Sequence, residues 1–563
     1  MDRIIMDRYE QWTKLAVLDA DVARELTDMA GDEGRIEDAF YRCLAFGTGG
    51  LRGVIGAGTN RMNVYTVAKA SQGLSRYVID HFPEGKRSIA VSYDSRVKSD
   101  LFSRVAASVF AHNGIHVYIY PQLMPTPCLS WAVRSLGCSA GIMVTASHNP
   151  SQYNGYKVYG SDGCQITTEA ASAILRRIEE TDEFSVTIPD YDACAAEGQI
   201  EYISEDVYTG FIEAVKAQSV LFGDRADRDV DIVYSPLNGT GLKPILRALS
   251  ESGFTRVTVV REQEEPDGLF PTCPYPNPEI REAMALGIEY CRRTGADLLL
   301  ATDPDCDRCG IAVKDEQGEY TLLTGNETGL LLFDYICSQR VAHGRMPKDP
   351  VLVKTIVTTD LAEKIACSYG VTTVNVLTGF KYIGEKIGQL EAQGHAESYI
   401  CGFEESYGYL TGSHVRDKDA VNAAFMICEM FAFYKARGIS LVQKLGELYS
   451  RFGYCLNTLH SYQFEGSQGM AKMASIMNGL RGPIPSIGGL KVEKVTDYLA
   501  GADGLPASDV LKFALSGGTT LVARPSGTEP KLKLYLSVSA PDKESAQALE
   551  AKLTDDMSAR MSR

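Results

Sequence analysis

Apolar and polar positions set up the same alternation three times along the chain. Between about 64 and 210, a helical span near 64–80 is followed by an apolar run at 88–93, a second helical span near 100–113, a run at 116–120, and then Gly141-Ile142-Met143-Val144. Short apolar runs separated by helical spans of about 10 to 15 residues predict βαβ units and a mostly parallel sheet. The alternation restarts at Val230-Asp231-Ile232-Val233-Tyr234 and passes through 256–260 and Leu298-Leu299-Leu300. It restarts again at Val351-Leu352-Val353, with later strands near 372–376 and 398–401. After about 455 the texture changes: Leu532-Lys533-Leu534-Tyr535-Leu536 alternates like a half-exposed antiparallel strand and predicts a smaller α+β domain. Residues 1 to about 40 read as acidic helices in which Trp12, Leu15, Val17 and Leu18 form an apolar face, with a break at Gly31-Asp32-Glu33-Gly34. The expected class is α/β, divided into a helical extension 1–40, mixed α/β domains 41–225, 226–323 and 324–455, and a C-terminal α+β domain 456–563.

Length agrees with several cores, since 563 residues exceed what one core sustains. The formal net charge of −16 excludes a general nucleic-acid or anionic-membrane binder. It leaves room for a small anionic substrate if basic residues gather in a cleft. The N-terminus carries charges where a signal peptide needs its apolar core, and the best apolar run, 423–433, contains Glu429. The expected location is cytoplasmic. The 14 cysteines are scattered, and the one C-x-x-C pair, Cys306 and Cys309, lacks the second pair or the histidines of a structural zinc site. They read as reduced, buried small hydrophobes.

Four stretches carry chemistry. Thr145-Ala146-Ser147-His148-Asn149-Pro150 follows the 141–144 run, so Ser147 leaves the carboxyl end of a strand, where open α/β sheets hold ligands. Asn149-Pro150 then turns the chain. A serine held there can act as nucleophile or phosphate carrier, with His148 beside it to orient or polarise it; taken alone, the hexapeptide reads equally as a Ser/Asn-rich turn. Asp303-Pro304-Asp305-Cys306-Asp307-Arg308 follows a second apolar strand. Its alternate carboxylates converge as hard oxygen ligands suited to Mg²⁺. An EF-hand is excluded, because its sixth residue would be Arg308 and its twelfth Lys314. Cys401-Gly402-Phe403-Glu404-Glu405-Ser406-Tyr407-Gly408-Tyr409 presents two carboxylates and a hydroxyl, which suit vicinal sugar hydroxyls, or a helix start. Arg524-Pro525-Ser526-Gly527-Thr528-Glu529-Pro530-Lys531 is a dense donor set for a phosphate dianion, or a tight turn. Phe46-Gly47-Thr48-Gly49-Gly50-Leu51-Arg52-Gly53 reads as a flexible glycine loop offering Arg52 to a phosphate.

These motifs occur in the order and approximate spacing of the α-D-phosphohexomutases, the superfamily of phosphoglucomutase and phosphomannomutase, which the chain resembles from about residue 46 to its end. Supporting matches are Y-D-S-R at 93–96, N-G-Y-K at 154–157, T-G-F-K at 378–381 and H-V-R-D-K-D-A at 414–420. The helical extension and K-T-I-V-T-T-D-L at 354–361 resemble the longer branch of bacterial α-phosphoglucomutases and animal enzymes acting on glucose and pentose phosphates.

The resemblance implies four domains around a central cleft, with Ser147 phosphorylated and Asp303, Asp305 and Asp307 holding Mg²⁺ together with a phosphoserine oxygen. It implies that Arg52, Lys157 and Arg308 line the reacting centre, Lys157 serving as general acid/base if its pKa is lowered. Thr378, Gly379, Lys381, Glu404, Ser406, His414, Arg416 and Lys418 would bind sugar, and Arg524, Ser526, Gly527 and Thr528 the non-reacting phosphate. Two departures stand out: Phe403 and Cys306 occupy positions often held by glycine. The expected reaction interconverts α-D-glucose 1-phosphate and glucose 6-phosphate through a glucose 1,6-bisphosphate intermediate, in a monomer or homodimer. Phosphopentomutase, phosphomannomutase and glucose 1,6-bisphosphate synthase are the alternatives within the superfamily. Outside it stand an aspartyl-phosphate phosphatase using Asp303 and Asp305, and a silent binding paralogue.

Overall fold

The computed structural model describes residues 2–47, 49–464, 466–525 and 531–561. Among them the strands form four sheets, of seven, five, four and six strands in chain order. The chain thus builds three α/β layers and a β-rich C-terminal unit. In the first sheet Ala140–Val144, Ser88–Tyr93, His116–Ile119 and Ile200–Tyr202 run parallel, as the alternation predicts. The other edge is antiparallel and corrects the sequence reading. Tyr153–Gly160 returns beside Ala140–Val144, and the supposed glycine loop is the hairpin of Phe46–Gly47 and Gly50–Val54 laid against it. Buried backbone contact explains why these strands lacked an alternating signature. A Cβ at Gly155 would stand 2.5 Å from the Thr145 carbonyl oxygen and 2.8 Å from that of Leu51, so only glycine lets the three strands approach.

The same device recurs in the next two sheets. Leu298–Thr302 is parallel to Ile232–Ser235 and returns antiparallel through Cys309–Lys314. Tyr399–Glu404 is parallel to Val351–Thr355 and returns through Gly408–Thr411. Each α/β sheet therefore ends a parallel set with a strand that doubles back, and the three turns hold the three motifs around Ser147, Asp305 and Glu404. The fourth sheet is antiparallel throughout, with Arg524 at the end of Thr519–Pro525.

The sheets are joined by packing. The helix Glu205–Lys216 touches helices of three neighbours, Thr126–Ser135, Leu242–Glu251 and Ala420–Lys435. One apolar core consequently runs from Leu129 and Phe211 through Ile232 and Leu300 to Val353 and Phe425. The fourth sheet rests on the K-T-I-V-T-T-D-L loop. Ile356 and Val357 pack against Val522 and Tyr535 there, while Asp360 accepts hydrogen bonds from Thr520 (2.9 Å) and from Lys512 (3.2 Å).

The N-terminal helices Arg3–Leu15, Ala20–Asp28 and Glu33–Phe40 cover the first sheet's helices. Here the expected apolar face needs correction. Trp12 is buried with Ile5 and Tyr9, one helical stripe, whereas Leu15, Val17 and Leu18 are 47%, 71% and 69% exposed. The helix stops at Leu15, so Val17 and Leu18 fall in the connection before the Asp19 cap and share no helical face. No helix among the described residues is long and apolar enough to cross a membrane.

Candidate active site

Three strand-end turns converge, and each carries a non-glycine residue with left-handed backbone: Ser147 (φ 52°), Cys306 (φ 52°) and Tyr407 (φ 65°). Such conformations persist only where the surroundings impose them, and they concentrate at working sites. At Cys306 the angle explains why glycine would be at ease there; the cysteine is retained with its side chain fully buried.

The serine turn is gripped from beneath. Arg96, only 2% exposed, donates to the carbonyl oxygens of Pro150 (2.9 Å) and Tyr153 (3.0 Å), and to those of Ser147 and Asn149. Asp94 completes the cradle by accepting from Thr145 (2.6 Å) and Ser99 (2.8 Å). The Ser147 hydroxyl then donates to Asp303 Oδ2 at 2.9 Å and lies 3.1 Å from His148 Nδ1. Burial, followed by the cations Arg308 and Arg52, pushes the His148 imidazole well below its ordinary pKa, so it is neutral. Arg52 stands exposed on its strand and donates to Asn149 at 3.3 Å.

Asp303, Asp305 and Asp307 are 0%, 0% and 2% exposed, and one oxygen from each falls within 4.8 Å of the others. Asp303 caps its own turn by accepting from the backbone N–H groups of Asp307 (3.1 Å) and Arg308 (3.0 Å). Thr126 donates to Asp305 at 3.0 Å. Lys157 bridges Asp305 (2.7 Å) and Asp307 (3.4 Å), and Lys418 bridges Asp307 (3.1 Å) and Asp417 (3.2 Å). Two buried oxygens, Asp305 Oδ1 and Asp307 Oδ1, have no hydrogen-bond partner among the described residues. Burial, then Asp305 and Asp307, holds the Asp303 carboxyl well above its ordinary pKa. Like charges brought together with unsatisfied hard oxygens fit a divalent oxygen-seeking cation.

Lys157 departs from the expectation of a lowered pKa. Burial disfavours its charge, but Asp305 and Asp307 outweigh burial and hold the ammonium above its ordinary value.

The third turn is zipped to the second. Cys309 N–H donates to the Tyr407 carbonyl at 3.0 Å, and Arg308 bridges Gly408 in antiparallel fashion. Glu404 accepts from Gly379 N–H at 2.9 Å, Thr378 Oγ1 is buried without a partner among the described residues, and Ser406 lies in the turn itself. Burial and then Glu404 push Glu405 up to about 7. Phe403 is fully buried over Gly329, where a Cβ would meet its ring, with Cγ at 2.7 Å. The ring fills the space that Gly329 leaves open on the facing helix.

Models of the phosphoglucomutase/phosphomannomutase α/β/α domains I, II and III match residues 44–185, 209–318 and 324–452. A phosphoglucomutase of Staphylococcus aureus (strain MRSA252) is 36% identical over 518 residues, 90% of this chain and 91% of that protein. The chain belongs to the phosphoglucomutase/phosphomannomutase family. The fold of a family protein from Burkholderia thailandensis agrees, at TM-score 0.67 and 18% identity over 92% of this chain and 97% of that one. An Aspergillus fumigatus N-acetylphosphoglucosamine mutase, solved with GlcNAc-6P and magnesium, aligns at TM-score 0.51 and 14% identity over 97% and 99%.

Within this family member not every expected site residue reaches the three turns. Arg416 is fully buried and pairs with Glu391 (2.6 Å), which also binds Arg134 (2.8 Å). It is a strut between the first and third sheets, not part of the acidic cluster. His414 bonds Asp419 (3.0 Å), the cap of helix Ala420–Lys435, and packs near Phe211. Lys381 lies on the first turn of helix Phe380–Ala392, its ammonium over the Tyr382 ring. Both arginine and histidine were matched by motif position, which does not say which way a side chain turns.

Arg524 faces Lys533 across an antiparallel pair. Ser526, Gly527 and Thr528, like Thr48 of the first hairpin, lie outside the described residues. Three contributors were not assigned roles from sequence: Arg96, Lys533 and Glu279, which pairs with Arg308. Lys533 sits on the alternating strand already recognised, and burial together with Arg524 lowers its pKa. Its register opposite Arg524 is set by the strand pairing and carried no signal in the sequence.

Proposed function

We propose that this chain is a phosphoglucomutase interconverting α-D-glucose 1-phosphate and D-glucose 6-phosphate through a phosphoserine enzyme and glucose 1,6-bisphosphate. The observation that carries the reading is the placement of the Ser147 hydroxyl 2.9 Å from Asp303, at the meeting of the acidic turn, the sugar-type carboxylates and a ring of cations. In the first transfer the bond from phosphorus to Ser147 Oγ breaks as a bond to a sugar oxygen forms, and the proton of that sugar hydroxyl ends on the departing Ser147 oxygen. In the second, the phosphorus–oxygen bond at the other end of the bisphosphate breaks as a bond to Ser147 Oγ forms, and the serine proton ends on the sugar oxygen released. Asp303, Asp305 and Asp307 would hold Mg²⁺, which when bound neutralises charge on the transferring phosphoryl group. Arg308, Arg52 and Lys157 add fixed positive charge where it develops. Glu404, Ser406, Lys418, Thr378, Gly379 and Lys381 hold sugar hydroxyls, and Arg524 with Ser526, Gly527 and Thr528 holds the idle phosphate. The proposed division assigns 41–225 to the phosphoserine, 226–323 to the metal, 324–455 to the sugar and 456–563 to the phosphate, although the first strand of the fourth sheet, Tyr454–Gln463, begins two residues before the last limit.

The test is turnover of glucose, mannose and ribose 1-phosphates with catalytic glucose 1,6-bisphosphate, beside phosphopeptide mapping. Glucose 1-phosphate is expected to give the highest kcat/KM and the phosphate to map to Ser147. Preference for mannose or ribose would reassign the substrate, and a Ser147→Ala protein that still turns over at the parent rate would remove the phosphoserine mechanism.

A further inference from the structure

Arg308 is already engaged. Its guanidinium forms a close ion pair with Glu279, whose carboxylate comes from outside the three motif turns. Glu279 follows a proline-framed stretch, Pro274-Tyr275-Pro276-Asn277-Pro278, and its backbone is pinned from that side. Its N–H donates to Asn277 Oδ1 at 3.1 Å, and Pro278 sits so close to Gly310 that a Cβ there would fall 2.8 Å from the proline Cβ. The backbone that carries the side chain is thus held, while the Glu279 side chain is 27% exposed. Arg308 cannot move with equal ease. Only 16% of its side chain is exposed, its Nε is 3.8 Å from Asp307 and 4.0 Å from Asp303, and its backbone is bridged to Gly408.

We propose that Glu279 is an exchange partner for Arg308, holding the guanidinium when no phosphate is present and competing with the reacting phosphate for it. This rests on the mutase reading above. A bisphosphate that must turn around between two transfers has to be released by the cations that held it, and a resident carboxylate offers Arg308 an equivalent partner at the moment of release. Arginine binds carboxylate and phosphate by the same fork, so the two compete for one set of donors. A phosphate dianion also repels a carboxylate that remains beside it. From its present position the Glu279 carboxylate favours the Lys533 ammonium, against burial and Arg524. Glu279 is a positioning residue acting through Arg308.

The test uses the full-length chain and Glu279→Gln, which keeps shape and one hydrogen bond while removing the charge. Inorganic phosphate and glucose 1,6-bisphosphate are titrated by calorimetry into Ser147→Ala and Ser147→Ala/Glu279→Gln proteins. Steady-state kinetics are measured with Ser147 intact. Removing the competitor is expected to tighten both ligands about tenfold and to lower KM and kcat together, as when release becomes slower. Glu279→Asp, which restores the charge, is expected to move both back toward the parent. Unchanged or weaker binding, or a raised KM at constant kcat, would overturn the proposal and leave Glu279 as a brace for Arg308. Parent protein without mutase turnover would refute the functional reading instead, and the phosphate titration would still decide whether Glu279 competes for Arg308.

Discussion

Replacing Arg96 by lysine tests whether the serine turn is held in a reactive pose from beneath. The guanidinium reaches four carbonyl oxygens, those of Ser147, Asn149, Pro150 and Tyr153, from a wholly buried position. An ammonium keeps the charge opposite Asp94 but places its three donors on one atom, which cannot span the four acceptors. At least two charge-assisted hydrogen bonds are lost, each contributing about 1.5–3 kcal/mol. Settling of the turn recovers part of that, leaving a loosening on the order of 3 kcal/mol. Because Ser147, Asn149 and Pro150 supply three of the four acceptors, the loss falls on the position of the nucleophile. Misplacement by about 1 Å costs on the order of 100-fold in rate. Arg96→Lys is therefore expected to lower kcat about 100-fold with a small change in KM, and to slow phosphate loading of Ser147 from glucose 1,6-bisphosphate. The assay is coupled turnover beside phosphopeptide quantification, with circular dichroism to confirm the fold. A folded Arg96→Lys protein with the parent kcat would refute the reasoning, since it would show that the four-fold grip does not set the pose.

Asp305→Ala should abolish Mg²⁺-dependent turnover while the metal-free melting temperature changes little, because relief of repulsion on Asp303 is offset by loss of the 2.7 Å partner of Lys157; scanning calorimetry with and without Mg²⁺ reads this directly. Gly329→Ala gains about 1 kcal/mol in helix propensity but forces the new methyl into the Phe403 ring, an overpacking cost of about 1–3 kcal/mol. It should raise KM by shifting Glu404, and Phe403→Ala in the same chain should relieve that shift. Burial opposes the charge of Asp360, but Lys354 and Lys512 prevail and hold its folded pKa down at about 2. A depressed carboxyl stabilises above its unfolded value and loses that stabilisation as pH falls through the folded one. Its contribution, about 2 kcal/mol, should be complete above about pH 4 and vanish toward pH 2. Asp360→Asn should flatten that limb of the stability curve and loosen the fourth sheet to proteolysis.

The parallel strands and their helices were legible because burial against helices leaves apolar runs at regular spacing, and the structure places Ser88–Tyr93, Leu298–Thr302 and Val351–Thr355 where those runs stood. The four motifs were legible for a related reason: functional residues follow strand ends, and a strand end is visible as an apolar run that stops. Strand Tyr153–Gly160 was not, since tyrosines, a lysine and close-approach glycines buried on both faces give neither alternation nor a clean run. Local sequence also could not say that the helix would end at Leu15 and leave Val17 and Leu18 to solvent. Side-chain direction was decided by tertiary contacts alone. Arg416 and Lys418 lie two residues apart, yet one enters the interface strut with Glu391 and the other the acidic cluster. Arg96 and Glu279 acquire meaning only when the chain brings partners 51 and 29 positions away into reach. Residue types and spacing along one chain report its local periodicity and chemistry, whereas the partner of a buried charge is chosen by the packing of all four sheets.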